Sequence, residues 1–166
     1  MDDYRRAAEK VEMWLDAHFD GDGRCTIDPD EGRFYPKAPY LLNAAGLRAK
    51  GARAASRALD HYIDKKGDFT GPGEPENRLY AMGWLLLGAV AVERFDLAGV
   101  LARRLGQLQD GASGGMVLMD PDAGEEVAEV CFSGGVGMAL AAVGETERAR
   151  RMADRFAALL DTQLQP

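Results

Sequence analysis

Two cysteines and two histidines are all that this chain of 166 residues has of thiol or imidazole, and neither pair is clustered. Cys25 and Cys131 stand far apart, so no disulfide framework is implied. A reducing, cytoplasmic home is the expectation. Long apolar runs are missing too. The longest, Ala81–Val92, falls far short of the roughly 20 residues that span a bilayer. The start, Met1-Asp2-Asp3-Tyr4-Arg5-Arg6, lacks the apolar stretch of a signal peptide. There is no basic excess: 20 Lys+Arg face 27 Asp+Glu, a net charge of −7. A nucleic-acid surface needs a basic patch, so nucleic acid is not an expected partner. No block of like charge is long enough to form a tail.

What is present is apolar and periodic. Hydrophobic residues make up 46% of the chain, enough for a sizeable core in one domain spanning 1–166. Three long, loop-rich connections (Asp20–Pro36, Lys66–Glu76, Gln109–Glu126) alternate with three short ones near Lys50-Gly51, Phe95-Asp96 and Gly144-Glu145. Every segment between them reads as a helix, so the fold class is all-α.

The helices divide into two kinds. Asp3–His18 places Tyr4, Ala7, Ala8, Val11, Trp14 and Leu15 on one stripe and charge elsewhere, the pattern of a half-buried amphipathic helix. Gly51–Lys65, Asp96–Gln109 and Glu145–Thr162 repeat that design. Ala38–Ala49, Asn77–Arg94 and Val127–Val143 are apolar nearly all round, which fits helices buried on every side. Their glycines cost helix propensity, and close helix–helix approach is a compensation. The expected order is a lone outer helix at 3–18 and three inner–outer hairpins at 38–65, 77–109 and 127–162. That makes about seven helices in an inner and an outer layer. Asp22-Gly23, Gly67-Asp68 and Asp110-Gly111 each follow an outer helix, at a spacing of roughly 45 residues that falls within the range of helical repeats.

One of these turns is more specific. Gln107-Leu-Gln-Asp-Gly-Ala-Ser-Gly-Gly115, followed by an apolar inner helix, resembles the repeated turn of the terpenoid cyclase and prenyltransferase superfamily, with Ser113 where a tryptophan is usual. The stretch Phe34–Tyr40, FYPKAPY, is similar to bacterial prenyltransferase-like proteins of unassigned activity. The resemblance implies a toroid of six α/α hairpins. This chain carries about half of that ring by its own hairpin count, which points to a partial chain or to an open solenoid that pairs with another copy.

Long loops gathered at one end of a rigid scaffold are the expected place for a site. The inner helices start there, and their N-termini suit an anion. Near those starts lie Tyr35, Lys37 and Tyr40, then Glu76, Asn77, Arg78 and Tyr80, then Glu129, Cys131 and Phe132, with Trp84 as an apolar floor. Aromatic faces can hold an apolar isoprenoid and stabilise a passing carbocation. Lys37 and Arg78 can hold a diphosphate or carboxylate. Glu129, in a dry place, would have a raised pKa and donate a proton, with Tyr40 and Cys131 as its catalytic companions. The expected substrate is small, and apolar or anionic.

The resemblance also limits the reading. The Asp-x-Asp-Asp acid motif and the magnesium-binding aspartate motif of terpene cyclases are both absent from this sequence. Glu129-Val-Cys-Phe-Ser133 resembles a stretch of the protein prenyltransferase β subunit in which Asp and Cys ligate zinc. Zinc needs more protein ligands, and His18 and His61 lie on outer helices, so no cofactor is expected and zinc stays an alternative. The expected activity is proton transfer, isomerisation or cyclisation of an isoprenoid-type substrate. A carbohydrate-active α/α-barrel enzyme and a non-catalytic helical repeat module are the alternatives.

Overall fold

The structure, a computed structural model, describes residues 2–27, 31–72, 77–119, 126–129 and 133–163. Seven helices carry the fold: α1 (Asp2–His18), α2 (Ala38–Ala44), α3 (Arg48–Tyr62), α4 (Arg78–Ala91), α5 (Phe95–Gln107), α6 (Ser133–Ala142) and α7 (Thr146–Gln163). A two-stranded antiparallel hairpin, β1 (Met116–Met119) with β2 (Glu126–Glu129), is added between α5 and α6. The all-α expectation and its helix count hold.

The two layers are present. α4 packs between α2 and α6, and each of these three helices packs on the one that follows it, α3, α5 and α7. The core is Leu42 on α2, Leu79, Met82, Leu85 and Leu86 on α4, Leu97, Leu101 and Leu105 on α5, and Leu140 on α6. Each such leucine taken out of water contributes about 2 kcal/mol. The inner helices approach closely where a glycine allows it. A Cβ on Gly88 would stand 2.9 Å from the Tyr40 backbone nitrogen on α2, so a larger residue would push the helices apart.

The helix boundaries differ from the sequence reading in one informative place. The first short connection is at Gly46, in the left-handed region at φ +76, and not at Lys50-Gly51. Gly51 lies inside α3, pressed against Pro39 and Val92. The helix break therefore goes to the glycine that supplies a left-handed turn, while the other glycine supplies clearance.

The first two turns after the outer helices are the same structure repeated, and the third is a variant one residue longer. Asp20, Asp64 and Asp110 each begin a turn and accept backbone N–H groups with a side-chain oxygen, from Asp22 and Arg24, from Lys66 and Asp68, and from Ala112 and Ser113. Each turn is closed by an antiparallel bridge, Phe19 with Cys25, Ile63 with Phe69 and Gln109 with Met116. The outer helix of the next hairpin packs on the turn. The third turn continues into β1 and β2, with Met116 opposite Glu129 and Met119 opposite Glu126.

Two expectations are corrected. The inner helix expected over Val127–Val143 begins at Ser133, because Glu126–Glu129 is extended and pairs with β1. The β-branched Val127 suits the strand. The helix expected to be half buried, α1, is exposed along most of its length. Leu15 is buried, but Tyr4 and Val11 on the apolar stripe are exposed at 85% and 54%. Among the described residues, no other helix covers that stripe.

Candidate functional site

A cleft of about 520 Å³ opens where α1 ends, α2 and α4 begin and the turn after α3 passes. α1 brings Trp14 and Leu15, and Phe19 follows them. The segment before α2 brings Arg33, Phe34, Pro36 and Lys37. α2 adds Ala38 and Leu41, the turn after α3 adds Phe69, Gly71 and Pro72, and the start of α4 adds Asn77, Arg78, Tyr80 and Ala81. Two of the three long connections, 20–36 and 66–76, contribute to this lining.

The local sequence explains the placement. Proline 39 sits in the first turn of α2, where the absence of an N–H costs nothing, and Lys37 occupies the residue before the helix. Lys37 is thereby carried to the mouth of the cleft, where its side chain is exposed. Its ammonium lies 5.0 Å from the centre of the Tyr80 ring and 5.6 Å from that of Trp84. Tyr40 and Tyr80 meet Trp84 edge-on, at 5.7 Å and 6.3 Å between ring centres. Tyr80 and Trp84 are one helical turn apart on α4, which aligns both rings under one cation. Arg33 lies over the Phe34 ring at 5.1 Å.

Among the described residues, the charged side chains lining the cleft are Arg33, Lys37 and Arg78, and no carboxylate is among them. Asn77 stands at the N-cap of α4 without a side-chain cap bond, so its amide faces the same opening as Arg78. The arrangement can neutralise an anionic group at the rim and bury an apolar body against Trp14, Phe19, Phe34 and Phe69.

Of the residues picked out in the sequence, Lys37, Asn77, Arg78 and Tyr80 line this cleft, and Tyr40 and Trp84 adjoin it. Tyr35 does not open into it. It is wholly buried, its hydroxyl oxygen accepts the Cys25 backbone N–H at 3.3 Å, and its ring packs 5.3 Å from that of Tyr62. Glu129 is on β2 opposite Met116, four residues before α6 rather than at its start. Glu76, Cys131 and Phe132 lie outside the described residues. Among the described residues no group of three or more His, Cys, Asp or Glu is placed to hold a metal. No described helix is long and apolar enough to cross a membrane.

No protein-family model matches the sequence, and no curated protein or solved structure matches it. The chemistry of the cleft therefore rests on its own residues. Sequence reasoning missed Trp14, Phe19, Arg33, Phe34 and Phe69 as lining. Phe34 is the first residue of the FYPKAPY stretch and Arg33 immediately precedes it, so that signal was at hand. Trp14, Phe19 and Phe69 read as ordinary core positions, and only the folding of two turns beside each other makes them a wall.

Proposed function

We propose that the chain acts on an apolar, isoprenoid-type substrate that carries an anionic group, in the manner of prenyltransferase or terpenoid cyclase-like enzymes. The observation that supports this reading is a cleft with an aromatic wall whose charged lining, among the described residues, is cationic. The apolar chain of the substrate lies along Phe19, Phe34 and Phe69. Its anionic group meets Lys37 and Arg78. The Tyr80 and Trp84 rings hold the Lys37 ammonium at that anionic end of the cleft. Tyr40 and Tyr80 supply hydroxyl groups for proton transfer at that end.

A carbohydrate-active site draws less support from this geometry. Glycoside hydrolysis uses a pair of carboxylates, and the cleft lining holds none among the described residues.

Titration with farnesyl diphosphate, farnesol, pyrophosphate and a malto-oligosaccharide tests the proposal. Farnesyl diphosphate should bind most tightly, farnesol and pyrophosphate more weakly, and the oligosaccharide not at all. Lys37→Met and Arg78→Gln should each weaken the diphosphate by about tenfold, or 1.4 kcal/mol, and leave farnesol unchanged. Equal binding of all four, or none of any, would sink the proposal. Binding without turnover would favour the non-catalytic module.

A further inference from the structure

α1 carries more of its apolar stripe outside the cleft than inside it. Trp14 and Leu15 line the cleft. Val11 lies one helical turn before both, Ala7 and Ala8 a further turn back, and Tyr4 one turn more, so all six share one face of the helix. No charged residue falls within that face. Tyr4, Ala7, Ala8 and Val11 are exposed, and among the described residues no other helix covers them. The helix rise makes the stripe about 15 Å long from Trp14 to Tyr4. The two small alanines between Val11 and Tyr4 make it a shallow track rather than a ridge.

The end of α1 beside the cleft is fixed in place. Leu15 and Phe19 are buried, and the Lys50 ammonium on α3 donates to the Asp16 carbonyl oxygen at 2.7 Å and to its carboxylate at 2.5 Å. The track is therefore held in line with the cleft wall. Beside Tyr80 the lining turns cationic, with Lys37 and Arg78, whereas along α1 it stays apolar. A cleft of about 520 Å³ is the size that encloses one small molecule. A chain that fills it and continues along α1 meets apolar surface as far as Tyr4.

We infer that the substrate has an apolar chain longer than the cleft, and that the far part of this chain lies on the α1 stripe over Val11, Ala8 and Ala7. The inference rests on the reading of the cleft given above and adds a length class to it, a polyprenyl diphosphate longer than farnesyl. The support is continuity, since Trp14 and Leu15 belong to the cleft and to the stripe alike. A lipid surface fits the stripe less well. Helices that lie on membranes are rich in Lys and Arg on their polar face, whereas α1 sets Arg5, Arg6 and Lys10 against Asp2, Asp3, Glu9, Glu12 and Asp16.

The test is calorimetric titration of the full chain and of Val11→Glu with geranyl, farnesyl, geranylgeranyl and hexaprenyl diphosphate, each below its micelle concentration. Val11 is 54% exposed, and circular dichroism checks the fold. Ala8→Glu, on the same stripe, is read in the same way. On the wild type, affinity should rise about tenfold from farnesyl to geranylgeranyl and further to hexaprenyl. In either variant the geranyl and farnesyl compounds should bind as they do to the wild type, and the gain from the longer chains should vanish. An affinity that levels off at farnesyl, or a gain that survives in both variants, would overturn the inference and leave the cleft reading standing. Binding of none of the four would overturn both. Ultracentrifugation and flotation with phosphatidylcholine vesicles report on other occupants. A wild-type oligomer or a vesicle-bound wild type that Val11→Glu disperses would assign the stripe to a second copy or to a membrane, and would overturn the inference.

Discussion

Arg104 on α5 donates two hydrogen bonds, from Nε and one Nη, to the two carboxylate oxygens of Asp68, each at 2.8 Å. This fork ties the outer helix of one hairpin to the turn that ends the previous one. Both side chains are mostly shielded from water. Arg104→Ala should lower stability by about 1–2 kcal/mol, more than a surface pair contributes. Arg104→Lys should recover only part of this, since an ammonium cannot match the fork. Urea denaturation of the three proteins checks the order. Equal midpoints for wild type and Arg104→Ala would show that the tie adds nothing.

The packing of each outer helix on the preceding turn makes a second expectation. Gly23 has φ +74, and a Cβ there would stand 2.3 Å from the Ala54 backbone nitrogen on α3. Gly46 has nearly the same φ, +76, but nothing lies within 4 Å of its Cβ position. Gly46→Ala should cost about 1–2 kcal/mol, the backbone term alone. Gly23→Ala should cost clearly more, because α3 must move off the turn. Thermal melts of the two variants separate the terms, and similar losses would remove the packing argument.

Much of this architecture is legible in the sequence. The aspartate–glycine turns announce themselves by composition and spacing, and the apolar α4 can only be an inner helix. The hairpin β1–β2 is not legible, because Met116–Met119 and Glu126–Glu129 are too short to show a period and form only by pairing with each other. Glu93 is not legible as a turn residue either. It holds the left-handed position that Gly46 and Gly144 hold elsewhere, at φ 60, so no glycine marks the break. At the site, Lys37, Arg78 and Tyr80 were legible because they sit at helix starts. Tyr35 shares that signal but is turned inward by its bond to the Cys25 backbone, a contact between two segments that no local pattern encodes.

The turn aspartates give the fold an acid sensitivity. Asp20 is held below its ordinary 3.8, chiefly by the Arg24 backbone N–H. For Asp64, burial pushes upward, but the N–H groups of Asp68, Lys66 and Gly67 outweigh it and the net shift is down. Asp110 is lowered by Ser113, through its hydroxyl and its backbone N–H. Asp96 is lowered to about 2 by the Arg94 guanidinium. Each carboxylate therefore adds stability that is complete above its unfolded value and is lost as pH falls through the folded one. The urea midpoint should be flat from neutral pH to about 4.5 and drop steadily below about 4. Asp110→Asn should be less stable at neutral pH and lose less on acidification. A midpoint that stays level down to about pH 2.5 would contradict these assignments.

The chain has two tryptophans, and they report on different parts of the site. Trp14 lines the cleft and is 47% exposed, so a ligand lying on it changes its surroundings from water to hydrocarbon. Trp84 is held among Tyr40, Tyr80 and the Lys37 ammonium beside the cleft. An apolar ligand in the cleft should therefore shift the emission of Trp14 to shorter wavelength. Trp84→Phe should keep that shift, and Trp14→Phe should abolish it while altering stability by no more than about 0.5 kcal/mol. Retention of the full shift in Trp14→Phe would place the ligand outside the cleft and on the Tyr40–Trp84 side.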